Sequence, residues 1–227
     1  MIKGAFYTVA TLFGGLLIGL LVGDLVFRLI PGSSVENVQI GHAAIAAIPA
    51  LAGFLAGGAA WGIQMGRLAG VAPEGSRRMA LAGMAGFAPI TIVLALVLGV
   101  AEPFIVASFG TVGEGVPIHR VFTLLFVPSA FLIAGISAYA VGRTLGDGAR
   151  ARSLLWQVGL AAAAAFLLVN LTMEALGWVV GAPGAAERAT MVTVMAAGNL
   201  AAALAGGAVL GARLAERRQT WNEPRPS

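Results

Sequence analysis

Six stretches of this chain are long, apolar and nearly free of charge, and only short polar breaks separate them. A helix needs about 20 apolar residues to cross the hydrocarbon core of a bilayer. The pattern therefore predicts spans near Gly4–Ile30, Ile40–Gly66, Met79–Ala107, Val121–Gly142, Leu154–Gly181 and Met191–Ala212. Breaks such as PGSSVENVQ, RLAGVAPEGSRR and RTLGDGARARS are rich in turn formers. Lipid offers backbone groups no water to bond, so each span is expected to be a helix rather than an open strand. The expected fold is an all-α membrane protein of six transmembrane helices. One transmembrane domain covers 1–213, and a polar cytoplasmic tail, disordered or laid on a partner, covers 214–227.

Composition narrows the function classes. Of 227 residues, 59% are hydrophobic and only 11% charged, whereas a soluble domain carries about 25% charged residues. An ordinary soluble enzyme is excluded. The absence of Cys removes disulfides, thiolate metal sites and Cys nucleophiles together. No GxxxxGK[ST], HExxH or GxSxG motif occurs, and the loops are too short to build a nucleotide site. No catalytic residue, enzyme activity or metal site is therefore expected.

The basic residues read as topology rather than as a nucleic-acid footprint. With the N-terminus in the cytoplasm, that side holds Lys3, Arg67, Arg77, Arg78, Arg143, Arg150, Arg152, Arg213, Arg217, Arg218 and Arg225. The other side holds only Arg28, Arg120 and Arg188. This asymmetry predicts both termini in the cytoplasm, in the cell's inner membrane. Tyr7, Trp61, Tyr139 and Trp156 would form the inner aromatic belt and Trp178 the outer.

The charge pattern suits a helical hairpin that recurs about every 75 residues. Acidic residues stand late in each odd span (Asp24, Glu102, Glu174) and arginines close each even one (Arg67, Arg143, Arg213). The simpler alternative is that inward-running spans end in arginine in any six-span protein, without duplication.

Small residues repeat every four positions, as in Gly15/Gly19/Gly23, Gly58/Gly62/Gly66 and Gly207/Gly211. In lipid, apolar burial gives no net drive, so helices associate through close contact of flat faces. These glycines are expected to pack the bundle internally, or, where they face outward, to dock another membrane subunit or a second copy.

Ionisable groups inside spans are costly and call for a reason. Asp24 has Arg28 one turn on, an i,i+4 pair that neutralises itself. Glu102 and Glu174 have no opposite charge at helical spacing on their own helices. With Asp24, Arg28, His42, His119, Arg120, Asn170 and, from deeper, Asn199, they are expected to form an outer-leaflet polar cluster. That cluster suits a structural seam, a protonatable carrier site, or, through His42 and His119, haem or chlorophyll ligation. No cofactor is otherwise expected. Two function classes follow: an accessory or scaffolding subunit of a larger respiratory, photosynthetic or transport complex, or a small-solute or ion carrier, proton-coupled through the carboxylates.

Overall fold

The computed structural model describes residues 1–29, 40–109, 118–146, 148–178 and 185–222, and apart from turns these are helical. Helix α1 (Ile2–Thr8) runs through a π-helical turn (Val9–Phe13) into α2 (Gly14–Leu29), forming one rod. Next come α3 (Ile40–Leu68), a 3₁₀ turn (Pro73–Gly75) and α4 (Ser76–Phe109). The chain ends with α5 (Ile118–Thr144), α6 (Gly148–Ala175) and α7 (Ala185–Asn222).

Among the described residues, five helical segments are long and apolar enough to cross a membrane: Ile2–Val26, Pro73–Leu94, Arg120–Thr144, Gly148–Ala175 and Thr193–Arg217. Helix α3 is 29 residues long, about 43 Å at 1.5 Å per residue.

Several boundaries differ from the sequence expectation. Helix α6 already begins at Gly148, inside the expected polar break, because Ala151 and Leu154 are buried there. It stops at Ala175 rather than near 181. The polar tail assigned from 214 is helical as far as Asn222, and Leu214 at its start is a core residue.

Two glycines show why helices end where they do. Gly70 (φ 78°) and Gly177 (φ 75°) take the left-handed conformation that side chains disfavour. Each begins a crossed pair of bonds that satisfies the last carbonyls: Gly70 to Arg67 and Val71 to Gly66, then Gly177 to Glu174 and Trp178 to Met173.

The helices close into a ring. The first rod packs on α3, α3 on α4, α4 on α5, α5 on α6, α6 on α7, and α7 returns to α1. Glycine brings the backbones together at these seams. A Cβ on Gly211 would lie 2.7 Å from the Cα of Gly4, and one on Gly15 would lie 2.6 Å from the carbonyl oxygen of Gly53. Gly19 meets Gly53 in the same crossing. Gly58 and Gly62 face Gly83 and Met79, Gly66 lies against the Met79 side chain, and Gly207 packs on Gly4 and Thr8. Gly23 is buried. The glycines with such contacts are thus taken up inside this one chain.

At one end of the ring the helices meet across the centre. Trp61, Met65, Met79, Val141, Leu154, Leu210 and Leu214 form a core cluster drawn from α3 to α7. It plugs the end that carries Arg67, Arg77, Arg143 and Arg213. A second cluster, built on Phe122, Phe166 and Met195, joins α5, α6 and α7.

Candidate functional site

Beyond the plug the centre of the ring is hollow. The cavity is about 710 Å³ and is lined from every rod of the ring. Along α5 its wall runs Phe122, Phe126, Ser129, Ile133, Ser137, and along α7 it runs Met195, Asn199, Ala202, Gly206, Leu210. Both stripes step by three or four residues, so one helical face of each looks inward. Each wall extends about 22 Å along its helix axis.

The few polar groups in the lining fall into two layers. Thr8, Trp61 and Ser137 form the inner one. Trp61 and Ser137 each stand six residues from the arginine that closes their helix, Arg67 and Arg143, which is about 9 Å. Trp61 Nε1 donates to Thr8 Oγ1 at 3.0 Å, and Thr8 Oγ1 donates to the Gly4 carbonyl at 2.8 Å. Ser137 donates to Ile133 O at 2.7 Å. Trp61 is therefore a core residue, 3% exposed, and not part of an interfacial belt.

The second layer is Thr91 on α4, Ser129 on α5 and Asn199 on α7. Each stands fourteen residues from an arginine at the plugged end, namely Arg77, Arg143 and Arg213. The three therefore share one depth, about 21 Å from that end. Thr91 donates to Phe87 O at 2.7 Å, Ser129 to Leu125 O at 2.9 Å and Asn199 Nδ2 to Met195 O at 2.9 Å. Each donor thus turns back on its own helix, as buried hydroxyls do in apolar surroundings. What remains turned from the helix is chiefly acceptor: two hydroxyl oxygens, the Asn199 amide oxygen and one further Asn199 N–H.

The wall is uneven in one place. Thr8, Leu12 and Phe13 line the cavity, but no described residue of α2 does. Helix α1 packs against α7, whereas among the described residues α2 has no such interface with it. The π turn at Val9–Phe13 marks where the rod leaves α7, and π turns widen and redirect a helix. Among the described residues, none bridges α2 and α7 along the outer half of the ring to line the cavity.

The expected outer polar cluster is only partly assembled. Arg120 on α5 and Glu174 at the end of α6 form an ion pair, with Arg120 Nε 2.7 Å from Glu174 Oε1 and Nη2 bonded to the same oxygen. The countercharge that Glu174 lacks on its own helix thus comes from the neighbouring one. Below that pair Thr123 Oγ1 reaches Asn170 Oδ1 at 3.4 Å, and Asn170 Nδ2 donates to Phe166 O at 2.9 Å. Phe126 and Phe166 then stack at 6.0 Å. These contacts form a ladder down the α5–α6 seam. Asp24 and Arg28 pair along α2, at 2.8 Å, apart from that ladder. Asn199 belongs to the cavity instead. The side chains of His42, Glu102 and His119 lie outside the described residues, so the haem or chlorophyll reading does too. Among the described residues no three His, Asp or Glu gather as for a metal ion.

The chain matches no known protein family, no curated protein and no solved structure. The cavity and its two polar layers were not anticipated from sequence. The stripe Phe122–Phe126–Ser129–Ile133–Ser137, with hydroxyls on an otherwise apolar helical face, is the signal that marks them.

Proposed function

We propose that the chain is a non-enzymatic, six-span protein of the inner membrane, both termini cytoplasmic, that carries a small solute through its central cavity. The observation behind this reading is the cavity itself, ringed by all the rods and plugged at the arginine-rich end. A hollow of this size between membrane helices loses dispersion contacts unless something fills it. A carrier supplies the reason to keep it, and the plug then corresponds to one closed gate. Three hairpins in a ring, with glycine at every seam named above, suit a threefold repeat. Proton coupling through Glu174 loses its motive, since Arg120 neutralises that carboxylate and Glu174 does not line the cavity.

The accessory-subunit reading rests on the missing catalytic motifs, the short extramembrane loops and the extensive small-residue faces, of which only the last offers a docking surface. Gly58, Gly62, Gly207 and Gly211 are spent on contacts within the chain, so the carrier is preferred. Native mass after gentle extraction separates the two: stoichiometric partner chains favour the subunit.

A carrier must expose its cavity to each side in turn. The chain has no Cys, so single cysteines at Ser137 and Thr91 report directly. Right-side-out and inverted vesicles are treated with a charged, impermeant methanethiosulfonate. Labelling of both positions from both sides is the expected result. Labelling from neither side refutes a carrier.

A further inference from the structure

We infer that the cavity is a binding site for a neutral, single-chain amphiphile with a hydrogen-bond-donating head, such as a medium-chain alcohol. The inference deepens the carrier reading and rests on it for the role of the cavity. Shape sets the chain. The hollow, about 710 Å³, runs about 22 Å along the helices, so an extended hydrocarbon chain, straight or methyl-branched, fits lengthwise with room beside it.

Charge sets the head. None of the described residues lining the cavity is Asp, Glu, Lys, Arg or His. An ion there would lose its hydration without a countercharge, a larger cost than any neutral head incurs. Hydrogen-bond accounting sets its polarity. At the layer of Thr91, Ser129 and Asn199, the hydroxyl hydrogens and one amide hydrogen are already committed to Phe87, Leu125 and Met195. Three oxygens from three helices remain as acceptors at one depth, with a single amide donor beside them. A hydroxyl fits this set: it donates to one oxygen and accepts from the Asn199 amide. A ketone or ester leaves the acceptors unmet.

The two layers set the length. Ser129 and Ser137 are eight residues apart on α5, about 12 Å. Carbon–carbon bonds of about 1.52 Å at about 111° advance about 1.25 Å per carbon, so about ten carbons span the interval. A head at the Thr91–Ser129–Asn199 layer thus places a ten-carbon tail against Trp61 and the plug. Longer chains must bend or project past that layer, away from the plug.

The test uses the full chain in nanodiscs of unbrominated phosphatidylcholine, with Trp156, Trp178 and Trp221 changed to Phe so that Trp61 is the only fluorophore. Probes are 11-bromoundecanol, 11-bromoundecanoate at pH 8 and 11-bromoundecyl-trimethylammonium, whose terminal bromine quenches a tryptophan it touches. Saturable quenching by the alcohol is expected, at least about 10-fold tighter than by either ion, as loss of one well-made buried hydrogen bond implies. Asn199→Leu should weaken the alcohol by a similar factor. Unsubstituted alcohols competing with the bromo-alcohol should bind best near ten or eleven carbons, a series that leaves Asn199 intact.

Tighter saturable binding of the carboxylate or ammonium overturns the ligand class while leaving a cavity that binds solute. Quenching that never saturates and is equal for all three heads means bulk lipid chains only, and overturns the site. If cysteines at Ser137 and Thr91 are also silent from both sides, the carrier reading falls with it. If they label, only the ligand assignment falls.

Discussion

The seam between α3 and α4 makes a sharp quantitative prediction, because the smallest side chain should do opposite things at two glycines. At Gly83 an added Cβ would lie 2.8 Å from the Gly62 nitrogen and 2.9 Å from its Cα, and nearer still to the Gly58 carbonyl oxygen. Every one of those atoms is backbone, so no side-chain rotation relieves the overlap. Restoring ordinary contact at about 3.5–4.0 Å opens the seam by about 0.6–1 Å, and such a gap forfeits about a quarter to a half of each dispersion well. With on the order of twenty atom pairs along the seam at about 0.1–0.2 kcal/mol each, the loss is about 1 kcal/mol. Strain brings the total to about 1–3 kcal/mol, the usual cost of overpacking. At Gly14 no atom lies within 4 Å of the corresponding Cβ, and the backbone is ordinary right-handed helix at φ −61°, ψ −44°. There alanine removes backbone freedom from the unfolded chain and adds up to about 1 kcal/mol. Purified Gly83→Ala and Gly14→Ala are melted beside the parent in one detergent, followed by circular dichroism. At about 2–4 °C per kcal/mol for chains of this length, Gly83→Ala should melt about 2–12 °C below the parent and Gly14→Ala at or above it. A Gly83→Ala protein as stable as the parent would refute backbone contact as the device that closes the ring.

Three other substitutions probe separate parts of the molecule. Arg120→Ala and Glu174→Ala should each lower the melting temperature slightly, and the double variant should lose less than the sum of the singles, as for an exposed pair whose members interact; additive losses would contradict the pair. Phe166→Ala removes a ring that is 0% exposed and stacked on Phe126, and should cost about 3–5 kcal/mol by unfolding in detergent; a loss under about 1 kcal/mol would mean the α5–α6 ladder is not core. Thr8→Val and Trp61→Phe in a double-mutant cycle should show a coupling of about 0.5–1.5 kcal/mol, and zero coupling would deny the bond between the two helices.

The helical character of the chain and most span centres were legible because lipid leaves the backbone one solution, and apolar run length reports it directly. Boundaries were less so. Gly148 to Ser153 carries two arginines and reads as a loop, yet Ala151 and Leu154 are buried, and a snorkelling arginine keeps its charge outside while its helix continues. Arg120 falls in the same expected outer cluster as Glu174, yet their direct pairing was not legible. Arg120 is 54 residues away, and helical spacing shows only partners three or four positions along. Asn199 stands out as a polar residue in a span, set deeper than the outer cluster. Its depth was read on its own helix, and the matching depths of Thr91 and Ser129 matter only once α4, α5 and α7 are known to share a centre.

The ring also explains why a chain so rich in glycine and alanine has a hollow interior rather than a dense one. Six helices at interaxial distances of about 8–10 Å enclose a centre equally far from every axis, room for a seventh helix. Side chains must fill that room from outside or it stays open. Along the hollow stretch α5, α6 and α7 point Ala130, Ala134, Ala162, Ala203 and Gly206 inward, too short to meet across it. At the plugged end the inward positions carry Met65, Met79, Leu154, Leu210 and Leu214, which do meet. Large side chains line the hollow too, Phe54, Phe87, Phe126 and Ile133 among them, so the alanines leave gaps between larger groups rather than emptying the axis by themselves. Gly207 serves both wall and hollow: it touches Gly4 and Thr8 at the seam between α1 and α7 and also lines the cavity, so a close backbone approach and an open centre meet at that position.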